Sequence, residues 1–265
     1  MDSAGDTSLL LEAADVPPVR EQNAAGSSPF LLTCDHYGRL IPRALGELGV
    51  RASELTRHIA WDIGIAGVAE QLSQHLNAHL IAQRYSRLVI DCNRPPGAVS
   101  SIPRISEATT VPGNEGLTRE AAQMRRREIF DPYHQRIAEV IDRRLRDGQP
   151  TVLVSLHSFT PVYAGVPRPW HIGTLYNRDT RLPSLLLKLL RAETDLVVGD
   201  NEPYAVDDAT DYTIPVHGEQ RGLMNSGIEI RQDLIADQAG EKQWADRLEQ
   251  VVSEIEIMLR GEGLI

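Results

Sequence analysis

Apolar residues along this chain fall into short runs separated by longer amphipathic stretches. Residues 29–36 and 151–157 are nearly continuous apolar runs, too short for helices, and each reads as a buried strand. Further strands fit 78–82, 87–92, 171–176, 196–199 and 227–231. Between them, apolar side chains recur at three- and four-residue spacing over 63–76, 119–145, 183–191 and 242–259, which predicts helices. Short strands alternating with helices predict an α/β domain around a mostly parallel sheet covered on both faces.

The ends of this pattern differ from its middle. Residues 1–28 carry one apolar patch, Leu9-Leu10-Leu11, among small, acidic and proline-flanked positions, and read as a loosely ordered arm; 29–265 then form a single catalytic domain. Segment 94–116 is rich in proline and glycine with little periodicity, as functional loops of that length are. With 27 basic against 37 acidic residues the net charge is -10, which speaks against nucleic acid or an anionic membrane as partner. The two cysteines, Cys34 and Cys92, fall in predicted strands and suit buried thiols in a reducing compartment. No run approaches the roughly 20 apolar residues of a membrane span, and the start Met1-Asp2-Ser3 lacks the basic and apolar regions of an export signal, so a cytoplasmic protein is expected.

The chemistry concentrates where strands end. Both apolar runs finish in a histidine, His36 and His157, and the carboxyl ends of parallel strands are where α/β sheets bind ligands. Two imidazoles delivered there could share one metal ion, and a hydrolytic zinc site needs about three protein ligands. Asp62, beside Trp61 at a helix start, is the candidate third, with a helix N-cap as its structural alternative. Asp35 ranks lower because strand alternation would turn it to the opposite face, and His58 is a spare.

Glu229 lies inside a β-branched strand, where an unpaired carboxylate is costly; it is either a general base or the partner of Arg231, two residues on and on the same face. Arg87, Asn93 and Arg94 offer a guanidinium fork and an amide for a substrate carboxylate. Asp91 between them would tie down the loop or orient a ligating histidine. Arg168, Asn201 and His217 follow apolar runs in loop-like surroundings and are further pocket candidates. Arg125-Arg126-Arg127 reads as a solvated helix face, and Asp131-Pro132 as an interruption of that helix. No glycine-rich phosphate loop or dinucleotide fingerprint is present.

Taken in order, Cys34-Asp35-His36, Ala60-Trp61-Asp62-Ile63-Gly64, the stretch from Tyr85 to Arg94, Ser155-Leu156-His157-Ser158-Phe159 and Ile228-Glu229-Ile230-Arg231 resemble the N-formylglutamate amidohydrolase family, from about Leu31 to Leu234. That family is similar in fold to zinc carboxypeptidases, which implies a three-layer α/β/α sandwich with a mostly parallel, mixed central sheet. The resemblance implies His36 and His157 as ligands of one zinc ion, Asn93-Arg94 as a carboxylate clamp and Glu229 as the catalytic glutamate. It also implies N-formyl-L-glutamate, a compound of histidine degradation, as type substrate. Two departures mark a divergent branch: Arg39 stands where zinc carboxypeptidases keep a glutamate three after the first histidine, and His36-Tyr37-Gly38 replaces His-Ser-Gly. Two other readings remain: a peptidase or cell-wall amidase with the same chemistry, and a metal-free protein that binds small molecules. Homo-oligomerisation stays open.

Overall fold

The computed structural model describes residues 9–265. In chain order its strands and helices are β1 (Val19–Gln22), β2 (Phe30–Cys34), α1 (Ile65–Leu76), β3 (His79–Gln83), β4 (Ile105–Ser106), β5 (Thr109–Thr110), α2 (Arg119–Arg125), α3 (Asp131–Arg146), β6 (Val152–Phe159), β7 (Val162–Tyr163), β8 (Val166–Pro167), β9 (Ile172–Leu175), α4 (Arg181–Leu190), β10 (Val198–Asp200), β11 (Met224–Arg231) and α5 (Gln238–Gly261). Seven strands form one mixed sheet in the order β1-β3-β2-β6-β11-β9-β10. The four central strands β3, β2, β6 and β11 run parallel; β1 lies antiparallel to β3 and β9 antiparallel to β11, and β10 runs parallel to β9.

Both faces of the sheet are covered, which is why β2 is apolar at successive positions. Phe30 and Leu32 face the core built with Val68 and Leu72 of α1, Leu186 of α4 and Leu248 and Ile255 of α5. Leu31, between them, faces the opposite core with Ile137, Val140 and Ile141 of α3. The architecture is the expected α/β one, and the four expected helical regions are occupied with boundaries shifted by a few residues.

Three local expectations are corrected. Residues 87–92 form no strand; Leu88, Val89 and Ile90 are buried in a turn whose backbone bonds to side chains and loops instead of a ladder. Asn114 Nδ2 donates to the Leu88 carbonyl, Arg125 Nη1 to that of Val89, and the Asp91 N–H to Ser101. Arg125, expected on a solvated face, is therefore buried and holds only neutral acceptors, among them the carbonyl of Gly113 and Asn114 Oδ1; Arg126 and Arg127 are exposed. Nor does Asp131-Pro132 break the helix: a π-helical turn over Arg126–Phe130 joins α2 to α3, and Pro132 sits in the first turn of α3, where a missing N–H costs little. Within the expected loose arm, Val19–Gln22 pairs with β3, and Tyr85 Oη and Arg84 Nη1 bond the carbonyls of Val16 and Pro17.

Candidate metal centre and hydrolytic site

A cavity of about 510 Å³ opens at the carboxyl ends of β2, β6 and β11, lined by His36, Asp62, His157 and Glu229 together with Arg87 and Arg94. His36 follows the last residue of β2 by two, and its neighbour Gly38 packs where a Cβ would stand 2.0 Å from the Arg84 carbonyl oxygen. Asp62 donates its N–H to the His36 carbonyl and stands two residues before Gly64, which caps α1 with φ +78°. A Cβ at Gly64 would meet the Ile235 carbonyl oxygen at 1.9 Å, so only glycine lets α1 start where it aims Asp62 inward.

The three side chains converge through specific atoms. Asp62 Oδ2 lies 2.9 Å from His157 Nδ1 and 3.4 Å from His36 Nδ1, and the ligand atoms of the three residues lie within 4.8 Å of one another. Each imidazole turns its other nitrogen to a buried carboxylate: His36 Nε2 is 2.7 Å from Asp91 Oδ1, and His157 Nε2 is 3.2 Å from Asp35 Oδ2. That is the arrangement by which carboxylates orient metal-ligating histidines. His36 Nδ1 is buried without a hydrogen-bond partner among the described residues, as a nitrogen reserved for a cation would be. Electrostatics agree. Burial alone would raise the Asp62 and Asp35 carboxyls, but the imidazoles beside them hold both well below the usual range. Burial would lower His157, yet its bonds to Asp35 and Asp62 push it well up. Two imidazoles among three buried carboxylates make a site that demands positive charge, and these residues fit a metal ion.

Glu229 stands on β11 directly opposite His157 on β6. It is 7% exposed, its Oε2 has no hydrogen-bond partner among the described residues, and burial, opposed by the charge of His157, pushes it up to about 7. Arg231 pairs instead with Asp233, so the structural alternative for Glu229 is not realised. Arg87 gives Nε and Nη2 to Asp91 Oδ2 and lies 3.5 Å from Asp62. The side-chain hydrogen bonds of Arg94 among the described residues use Nη1, to the Asn93 and Thr210 carbonyls and Asp211.

The family profile described as N-formylglutamate amidohydrolase matches residues 28–236. The chain belongs to that family. An N-formylglutamate deformylase of Pseudomonas putida is 26% identical over 208 residues, covering 74% of this chain and 73% of the relative. Among solved structures, a gene product of Agrobacterium tumefaciens superposes with a TM-score of 0.89 at 39% identity, over 93% of this chain and 99% of the other. The N-formylglutamate amidohydrolase of Ralstonia eutropha JMP134 superposes with a TM-score of 0.67 at 17% identity, over 93% and 100%, a likeness of fold.

Other candidate residues of this family member are placed differently. His58 lines the cavity apart from the three convergent side chains and lies 3.2 Å from Glu107. Arg168 is buried behind the wall, 4.7 Å from the ring centres of both Tyr163 and Tyr204, which do line it. Asn201 accepts the Tyr176 N–H away from the cavity. His217 stacks on His134 outside it, with ring centres 5.2 Å apart. Asp35, ranked low by alternation, reaches the centre because β2 ends at Cys34 and the chain turns before it. Thr213 and Asp211 carried no sequence signal; both meet the site through the loop after β10.

The histidine pair has a consequence for stability. His134 Nε2 donates to the Cys92 carbonyl at 2.7 Å, so its Nδ1 accepts from His217 Nε2 at 3.0 Å, and both rings are neutral. Burial lowers His134 from 6.5 to about 4 and His217 to about 3. Below about pH 6.5 the unfolded chain binds the protons that the native one refuses, so stability falls as pH drops toward 4. For His134 alone the loss at pH 4 is about 3 kcal/mol. Urea unfolding at several pH values should show this slope, reduced in His134→Gln; an equal slope in both proteins would count against it.

Proposed function

We propose that this protein is a zinc-dependent amidohydrolase of small N-acyl amino acids, with N-formyl-L-glutamate, cleaved to formate and L-glutamate, as type substrate. The observation that carries the reading is the convergence of His36 Nδ1, His157 Nδ1 and Asp62 Oδ2 in a cavity that also holds Glu229. When bound there, zinc would supply Lewis acidity at the acyl oxygen and acidify a water. Glu229 takes the proton of the attacking water and returns it to the leaving nitrogen, a role favoured by a pKa near neutrality. Arg87, clamped by Asp91, holds a fixed positive charge beside the metal ligands, where charge builds on the acyl oxygen. Arg94, tethered through one nitrogen, turns its remaining guanidinium edge to the substrate α-carboxylate. Two free, buried cysteines suit the cytoplasm, and among the described residues no helix is long and apolar enough to cross a membrane.

A cavity of about 510 Å³ has room for more than a formyl group and one amino acid, which favours the peptidase-like reading as the second. One experiment separates the two. Formate or amine release is measured from zinc-loaded protein over N-formyl, N-acetyl and aminoacyl derivatives of glutamate and other amino acids. The main reading expects turnover of short N-acyl amino acids and its collapse when the α-carboxylate is amidated. Cleavage of peptides alone would replace it with the second reading, and no release from any substrate would sink both.

A further inference from the structure

Asp35 is buried and wholly engaged. Its Oδ1 accepts the Thr213 hydroxyl at 2.6 Å; its Oδ2 accepts the Ser155 hydroxyl at 3.2 Å and lies 3.2 Å from His157 Nε2. Ser155 Oγ is also 3.0 Å from His157 Nε2. A carboxylate has no proton to give, so the single Ser155 proton goes to Asp35, and Ser155 meets the imidazole only as an acceptor. Both neighbours of His157 Nε2 are then acceptors. Nε2 must carry the proton, and Nδ1 is the nitrogen left to face Asp62 and the ion.

Thr213 is fixed in turn by Asn93. The N–H groups of Tyr212 and Thr213 both donate to Asn93 Oδ1 at 3.1 Å, and Asn93 Nδ2 donates to Asp211 Oδ1 at 3.1 Å. The backbone N–H of Asn93 donates to Asp91 Oδ1 at 2.9 Å, the atom that accepts from His36 Nε2. Asn93 thus touches the supports of both imidazoles, and its amide is consumed inside the protein.

We propose that Asn93 and Thr213 are positioning residues of the metal centre: Thr213 fixes Asp35, Asp35 holds the Nε2 proton of His157 so that Nδ1 is the nitrogen turned to Asp62 and the ion, and Asn93 braces Thr213 and Asp91 together. The inference rests on the metal reading above but not on the identity of the substrate. It gives Asn93 a function different from gripping a carboxylate, and it ties the loop that carries Asp211 to the two histidines.

The test measures Zn²⁺ affinity of the purified full chain by competition with a chromophoric chelator. Thr213→Val and Asn93→Ala should each weaken binding by about 10- to 100-fold, as loss of outer supports does, and Thr213→Ser should restore it. Wild-type affinity in both weakened variants, or a Thr213→Ser variant no better than Thr213→Val, would overturn the proposal. A measurement on the wild type guards against misfolding: ¹⁵N NMR of the zinc-loaded protein should find the His157 proton on Nε2, and a bare Nε2 would overturn it as well. If the wild type binds no Zn²⁺ at all, the metal centre itself is refuted and this inference with it.

Discussion

Alanine in place of His36 or His157 is expected to remove stoichiometric metal from the protein. Each residue supplies one of the two Nδ1 atoms that meet Asp62 Oδ2, and among the described residues the other imidazole lining the cavity, His58, lies beside Glu107 and outside the convergent group. The loss should exceed the 10- to 100-fold cost typical of outer supports. The remaining carboxylates, Asp35, Asp62 and Asp91, would then crowd a buried space with less positive charge to satisfy them. Added zinc should raise the unfolding temperature of the wild type, because an ion bound only by the native state stabilises it by mass action, and should leave both variants unmoved. Metal analysis after dialysis checks the first point and thermal unfolding the second. Full occupancy in either variant would remove that histidine from the ligand set, and retention in Asp62→Ala would do the same for Asp62.

Glu229→Gln should keep the fold and the metal and lose amide hydrolysis by roughly 10²-fold or more, the range for a positioned general base. The glutamine is nearly isosteric, and Glu229 makes no ion pair with Arg231 whose loss could unsettle β11. What the substitution removes is a proton acceptor placed opposite His157 and raised by burial toward neutrality, where a base is strong enough to take a proton and still able to give it back. Steady-state turnover with metal content measured on the same sample decides the matter. Near-normal turnover with full metal would make Glu229 a structural residue.

The fold was legible because its signals are local. Continuous apolar runs such as Phe30–Cys34 mark strands covered on both faces, and the spacing in Ile65–Leu76 marks a helix packed on one. The turn over 87–92 misled because its apolar side chains are buried as thoroughly as those of a strand, while its backbone is satisfied from distant residues, Asn114 and Arg125, that no local pattern reveals. The same holds at the site. His36, His157 and Glu229 stood out by position along strands, and Asp62 by its place at a helix start. The supports did not, since Thr213 meets Asp35 across 178 positions of sequence. Asp35 was discounted by an alternation rule that ceases where β2 ends.

The strand at Val19–Gln22 does more than extend the sheet. Without it β3 would present an unpaired row of N–H and C=O groups along the flank of four parallel strands, a template for pairing with another chain. Its Glu21 also reaches the ring of buried His79 and the guanidinium of Arg136, closing that flank with charge. The segment that looks most dispensable in the sequence therefore replaces the five-residue edge of β3 with its own shorter, charged one, and a shortened chain that begins after Gln22 is expected to self-associate more readily while its hydrolytic residues stay in place.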